Sequence, residues 1–210
     1  MTATAEDLPT LRALDDATRL LVRLAAVISA GTEQAVRDGI ASAHGRLPAV
    51  WVEELLLQSY LFAGFPRALN AMREWRRYEP EVVRPVEEID AHVVRANGVA
   101  TCSAVYGSMY ERLRHNIRTL HPLLDEWMIT EGYGKVLSRP ALDLGRRELC
   151  VVAACAASDQ DRQLHSHLHG ALNVGVPRVV IDDALNALTD ILGPDRSREV
   201  GLLWARVKGK

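Results

Sequence analysis

The amino-acid sequence predicts an all-α protein assembled from two tandem, pseudo-symmetric helical modules. Three observations carry this expectation. Helix-forming residues dominate, and alternating Val/Ile/Thr runs bounded by turns are nearly absent. Proline and glycine are sparse but cut the chain into helices of ordinary length. Sliding the chain over itself by 129 positions superposes Leu20–Arg77 on Leu149–Arg206 without a gap.

The individual elements follow from the breaks. Gly31-Thr32, Arg46-Leu47-Pro48, Ala63-Gly64-Phe65-Pro66 and Glu79-Pro80 divide the first half. Pro48, Pro66, Pro122 and Pro177 suit the first position of a helix, where a missing N–H costs nothing. Gly175 suits a C-terminal cap ahead of Val176-Pro177. Pro80, Pro85 and Asn97-Gly98 bracket a short helical segment, so 79–100 reads as a connector. The modules are therefore placed at 1–100 and 101–210. At the 129-residue offset the identities include Val22/Val151, Ser29/Ser158, Gln34/Gln163, Pro48/Pro177, Gly64/Gly193, Arg67/Arg196 and Trp75/Trp204. Each module is predicted as helix, short turn, helix, proline-started helix, glycine-broken turn, helix.

Composition narrows the function classes. Charged residues make up 25% and the formal net charge is −2, which gives no electrostatic reason for a nucleic acid or anionic membrane partner. No apolar run approaches the roughly 20 residues of a membrane span. Met1 to Leu14 lacks the basic start and apolar stretch of a signal peptide. The three cysteines, Cys102, Cys150 and Cys155, are an odd count for a disulfide framework and form no CxxC pair. A reduced, cytoplasmic setting with buried or idle thiols is the simplest expectation.

Candidate chemistry concentrates in the second half. On a helix from about Asp161 to Val174, the residues Leu164, Leu168, Ala171 and Leu172 make one apolar stripe. His167 lies at its edge beside Gln160 and Gln163, a position for a half-buried group that transfers protons near neutral pH. The plain alternative is a histidine hydrogen-bonded in a helix interface. His165 and His169 are i,i+4 neighbours on the opposite edge, with spacing compatible with two metal ligands but no third in sight. Glu148, inside Arg146-Arg147-Glu148, is either a first-turn acid favoured by the helix dipole or a carboxylate that orients His167. Arg139 and Arg147 are either surface ion-pair partners or a bidentate clamp for a substrate carboxylate.

Three stretches carry a family resemblance: Glu131-Gly132-Tyr133-Gly134-Lys135-Val136-Leu137-Ser138-Arg139-Pro140-Ala141-Leu142-Asp143, Arg147-Glu148-Leu149, and His167-Leu168-His169-Gly170-Ala171-Leu172-Asn173-Val174-Gly175-Val176-Pro177. They resemble the carboxymuconolactone decarboxylase family, whose members have the alkylhydroperoxidase-D-like helical fold. The resemblance covers about 105–210 and extends weakly through the repeat over 20–78. The thiol peroxidase branch of that superfamily carries Glu-x11-Cys-x2-Cys-x3-His. At the same spacing this chain has Glu148, Gln160, Gln163 and His167. Glutamine supplies neither a thiolate nucleophile nor a resolving thiol, so thiol peroxidase activity is disfavoured. Cys150 and Cys155, five apart and about 140° around a helix, do not restore it.

The resemblance implies a cofactor-independent lyase working by acid/base chemistry on a small carboxylated, lactone-type substrate. His167 and Glu148 are then the candidate catalytic residues, and Arg139, Arg147, Tyr133, Gln160 and Gln163 the candidate substrate-binding residues. No metal and no cofactor is implied. Lys135 and Glu148 depart from the decarboxylases proper, which carry an acidic and a small residue there. In the first half the same offset brings Asp38 opposite His167 and Arg19 opposite Glu148, so that half lacks the pair. The resemblance also implies a homo-oligomer, a trimer ahead of a dimer. The competing expectation is a non-catalytic helical assembly or binding protein.

Overall fold

The computed structural model describes residues 11–81 and 90–209, and every regular element among them is helical. In chain order the α-helices are α1 (Asp16–Ala30), α2 (Glu33–Ala43), α3 (Ala49–Ala63), α4 (Phe65–Trp75), α5 (Ala91–Tyr106), α6 (Tyr110–Leu120) and α7 (Pro122–Trp127). A π-helix (Met128–Leu137) follows, then α8 (Leu144–Ala157), α9 (Asp161–Asn173), α10 (Arg178–Asn186) and α11 (Thr189–Lys208). The all-α class read from the sequence is the class observed. Of the connector expected over 79–100, residues 82–89 lie outside the described residues, and the part from Ala91 onward is the start of α5, which continues to Tyr106. The stretch read for a leader, Met1 to Leu14, falls outside the described residues up to position 10.

Capping residues set most helix starts. Asp15 accepts from Thr18 N at the start of α1, and Asp143 accepts from Arg146 N at the start of α8. Arg146 then ties the two starts together. Its guanidinium donates to Thr18 Oγ1 (2.9 Å), Asp143 (2.8 Å) and Asp15 (3.1 Å), and lies 4.6 Å from the Trp51 ring centroid. Pro122 opens α7 and Pro66 lies in the first turn of α4, whereas Pro48 and Pro177 stand one position before their helices. Gly64 and Gly193 both take positive φ (85° and 75°), Gly64 where the chain turns from α3 into α4 and Gly193 at a kink inside α11.

One apolar core runs through both halves. Leu21, Leu24, Ile28 and Trp75 share it with Leu149, Val152, Leu164 and Trp204. A second, smaller cluster joins Cys102 and Val105 of α5 to Ile129, Tyr133 and Leu137 of the π-helix. Here backbones touch directly: a Cβ on Gly98 would strike the carbonyl of Ile129, and one on Gly134 that of Val94. The wider winding of the π-helix, with Ser138 N donating to Tyr133 O, carries Tyr133 inward.

The register between halves is not constant. The caps Asp15 and Asp143, and Thr32 and Gln160, are 128 positions apart, whereas Pro48 and Pro177, and Gly64 and Gly193, are 129 apart. The slip arises because α9 has 13 residues against 11 in α2, and the loop that follows α9 is one residue shorter.

Candidate active site: a buried Glu148–His167 pair

Glu148 sits in the second turn of α8 and His167 in the middle of α9. His167 Nδ1 lies 2.8 Å from Glu148 Oε2, with Glu148 fully buried and His167 5% exposed. Two packing features allow this. Gly170, one turn beyond His167, leaves room where a Cβ would stand 2.5 Å from Glu148 Oε2. Aromatic edges close the rest: His167 meets Phe62 of α3 and Tyr106 of α5 in T-shaped contacts at 5.7 and 6.2 Å. Glu148 Oε1 is buried and has no hydrogen-bond partner among the described residues, so the carboxylate spends only one oxygen on the imidazole. A carboxylate placed on Nδ1 fixes the ring and directs its other nitrogen as the reactive edge.

Tyr106 links this pair to a wider environment. Its ring packs edge-on to Tyr133 at 6.3 Å. Burial drives both phenols above their ordinary value, so both are neutral at physiological pH. Tyr133 is thus a second layer behind Tyr106 rather than a wall of open space. A cavity of about 480 Å³ opens on the other side of Tyr106, between α5–α6 and α9. Neither this cavity nor those of about 200 and 210 Å³ along α1–α2–α4 and α10–α11 is lined by Glu148 or His167.

Several residues expected at the site are elsewhere. Arg139 and Arg147 do not present a free clamp. Both hold Glu54 of α3, Arg139 through Nε at 2.9–3.0 Å and Arg147 through a terminal nitrogen at 2.7 Å. Arg147 is fully buried and also donates to the Leu142 and Arg139 carbonyls and to Gln58 Oε1. Burial opposes charge on Glu54, but the hydrogen bond from Arg139 and the charge of Arg147 outweigh it and hold its carboxyl below the ordinary value. The correction has a physical reason: a carboxylate from the other half of the chain satisfies these guanidiniums before any substrate can. Gln160 and Gln163 are exposed at the start of α9, and Gln160 donates to the Ser158 carbonyl. His167 is deeper than the half-buried position expected. The two other histidines of α9, His165 and His169, face each other with ring centroids 4.9 Å apart, and no His, Cys, Asp or Glu group suited to a metal forms among the described residues.

All three cysteines are buried and unbridged. Burial pushes the thiols of Cys102 and Cys155 up to about 12, and that of Cys150 well above its ordinary value. None is a thiolate at neutral pH.

A model of the carboxymuconolactone decarboxylase family matches residues 122–206, which include π-helix, Glu148 and His167. Residues 122–206 are thus similar to the carboxymuconolactone decarboxylase family. The chain is similar to peroxisomal protein 2 of Schizosaccharomyces pombe, 28% identical over 158 residues that cover 72% of this chain and 70% of that protein. It is also similar to peroxisomal protein 2 of Saccharomyces cerevisiae, 22% identical over 182 residues that cover 72% of this chain and 62% of that protein. The carboxymuconolactone decarboxylase match contains both members of the buried pair, but Tyr106 and Phe62, which enclose it, lie before its first residue. Sequence reasoning missed both. A lone aromatic near a helix end leaves no periodic signal, whereas Gly170, inside the quoted motif, was within reach. No helix among the described residues is long and apolar enough to cross a membrane.

Proposed function

We propose that the chain is a cofactor-independent lyase that decarboxylates a small carboxylated lactone by acid/base chemistry. The observation that supports this reading best is the buried Glu148–His167 hydrogen bond inside the family-matched segment. In the proposed reaction the bond from carbon to carboxylate breaks and CO2 leaves. The electron pair passes into the conjugated carbonyl of the substrate, which acts as its own electron sink. The proton that returns to carbon originates at protonated His167, Glu148 stabilises the imidazolium, and water restores the proton. Incubation with γ-carboxymuconolactone tests the reading: CO2 release above background in the wild type and its loss in His167→Ala support it. No release from the folded wild type sinks it.

A second reading, a non-catalytic assembly unit, draws on a different surface. Leu120, Leu123, Leu124 and Trp127 on α6–α7 are exposed, and α6 buries none of its residues. The homotrimer, with the dimer behind it, is proposed on the same ground, and light scattering that gives a monomer contradicts it. The two halves are proposed to be copies of one module, at 1–100 and 101–210, on the recurrence of caps and glycines. The cytoplasmic location remains a proposal beside relatives whose names say peroxisomal. Fractionation of the tagged chain distinguishes the two.

A further inference from the structure

With Arg139 and Arg147 committed to Glu54, a carboxylated substrate needs another cation. The helix α6 carries three arginines. Arg114 and Arg118 both grip Asp125, whereas Arg112 forms no hydrogen bond or ion pair among the described residues. Arg112 lines the 480 Å³ cavity, together with Asn116 from its own helix, Tyr106 from α5, and His165, His169 and Asn173 from α9. No aspartate or glutamate contributes to the wall.

Resting on the acid/base reading above, we propose that this cavity is the substrate chamber, that it takes a small carboxylate, and that Arg112 is the anchor. Three features converge on this assignment. The wall offers a permanent cation, imidazole and amide donors and no competing carboxylate, so an anion meets attraction without repulsion. Its volume suits a ligand of metabolite size. Tyr106 belongs both to the wall and to the aromatic shell of His167, so a ligand in the chamber is separated from the buried pair by one ring. The ring of Tyr106 is the part of the wall that touches the imidazole.

The test uses adipate, a dicarboxylate that cannot be decarboxylated by this route, and follows the imidazole Cε1–H signals of His165 and His169 by NMR. The wild type is expected to give saturable shifts. Arg112→Gln is expected to weaken binding at least about ten-fold, the loss of roughly one charge-assisted bond. Arg198→Gln, which removes an exposed arginine paired with Asp195 on α11, is expected to bind adipate like the wild type. Neutral adipamide is expected to give no saturable shift. Arg112 is exposed, so melting temperatures of the variant and wild type should coincide. Absence of saturation in the wild type, or equal affinity in Arg112→Gln, overturns the chamber. The two proposals fail separately. Arg112-dependent adipate binding with no CO2 release rejects the lyase and keeps the chamber. His167-dependent CO2 release with an unchanged KM in Arg112→Gln rejects the chamber and keeps the lyase.

Discussion

Gly170→Ala sets two rules of helix energetics against each other. In the interior of a helix, alanine is favoured over glycine by about 1 kcal/mol, so propensity alone raises stability. Here the added Cβ would stand 2.5 Å from Glu148 Oε2 and 2.7 Å from Val105 Cγ1. The carboxylate must retreat by about 1 Å to regain ordinary van der Waals contact. That retreat stretches the 2.8 Å bond to His167 beyond hydrogen-bonding range. Overpacking costs about 1–3 kcal/mol and a buried bond to a charged group about 1.5–3 kcal/mol, so the net loss after the propensity gain is about 2–5 kcal/mol. For a chain of this size that lowers Tm by roughly 4–20 °C. Circular dichroism melting measures it, and the ring-nitrogen NMR signals of His167 report the broken bond. Gly201→Ala is the control. Gly201 lies inside α11 with nothing within 4 Å of its Cβ position, so the same substitution should stabilise by about 0.5–1 kcal/mol. A Gly170→Ala protein that melts at or above the wild type, with His167 signals unchanged, refutes the packing account of the pair.

Two further outcomes follow from the buried charges and thiols. Glu54→Gln leaves the fully buried Arg147 without its counter-charge and should cost about 3–5 kcal/mol in urea unfolding. Because the folded carboxyl is held below its ordinary value, its stabilisation is present above the unfolded glutamate pKa and is lost as pH falls through the folded value. The wild type should therefore lose stability more steeply than Glu54→Gln on acidification. Cys102 and Cys155, raised to about 12, behave in the opposite sense. Their contribution is complete below the unfolded thiol pKa and declines as pH rises toward 12, by about 1.4 kcal/mol per pH unit for each thiol. The double alanine variant should show a shallower alkaline decline. Iodoacetamide at pH 8 should label the native chain far more slowly than the urea-unfolded one. Rapid native labelling would contradict the buried, protonated thiols.

Much of the fold was legible because it is written in local letters. Proline, glycine and capping aspartates act within a turn of where they stand, so the breaks at Pro48, Gly64, Pro122 and Pro177 marked helix ends to within a residue. The π-helix was not legible, since its i+5 bonding at Tyr133 and Ser138 depends on the backbone contact of Gly98 and Gly134 with the neighbouring helix. The pair Glu148–His167 was reachable through its motif spacing. The arginines were misread because a guanidinium declares its capacity but not its partner. Glu54 lies 85 positions from Arg139 and 93 from Arg147, and nothing near either arginine announces it.

The same limit governs how the first half is read. A constant 129-residue offset sets Asp38 and Arg19 opposite His167 and Glu148, both of them exposed. Registering the first two helices on their caps, 128 apart, instead brings Gly39 and Leu20 to those positions. A Cβ on Gly39 would stand 3.1 Å from Leu24 Cδ1, and Leu20 packs against the main core. On the cap register, then, the first half has close apolar packing where the second has a buried carboxylate and imidazole. A buried, hydrogen-bonded polar pair costs desolvation that apolar packing does not. If the halves are copies, the cheaper packing in one and the costlier pair in the other is the arrangement expected when only one site retains a reaction to perform.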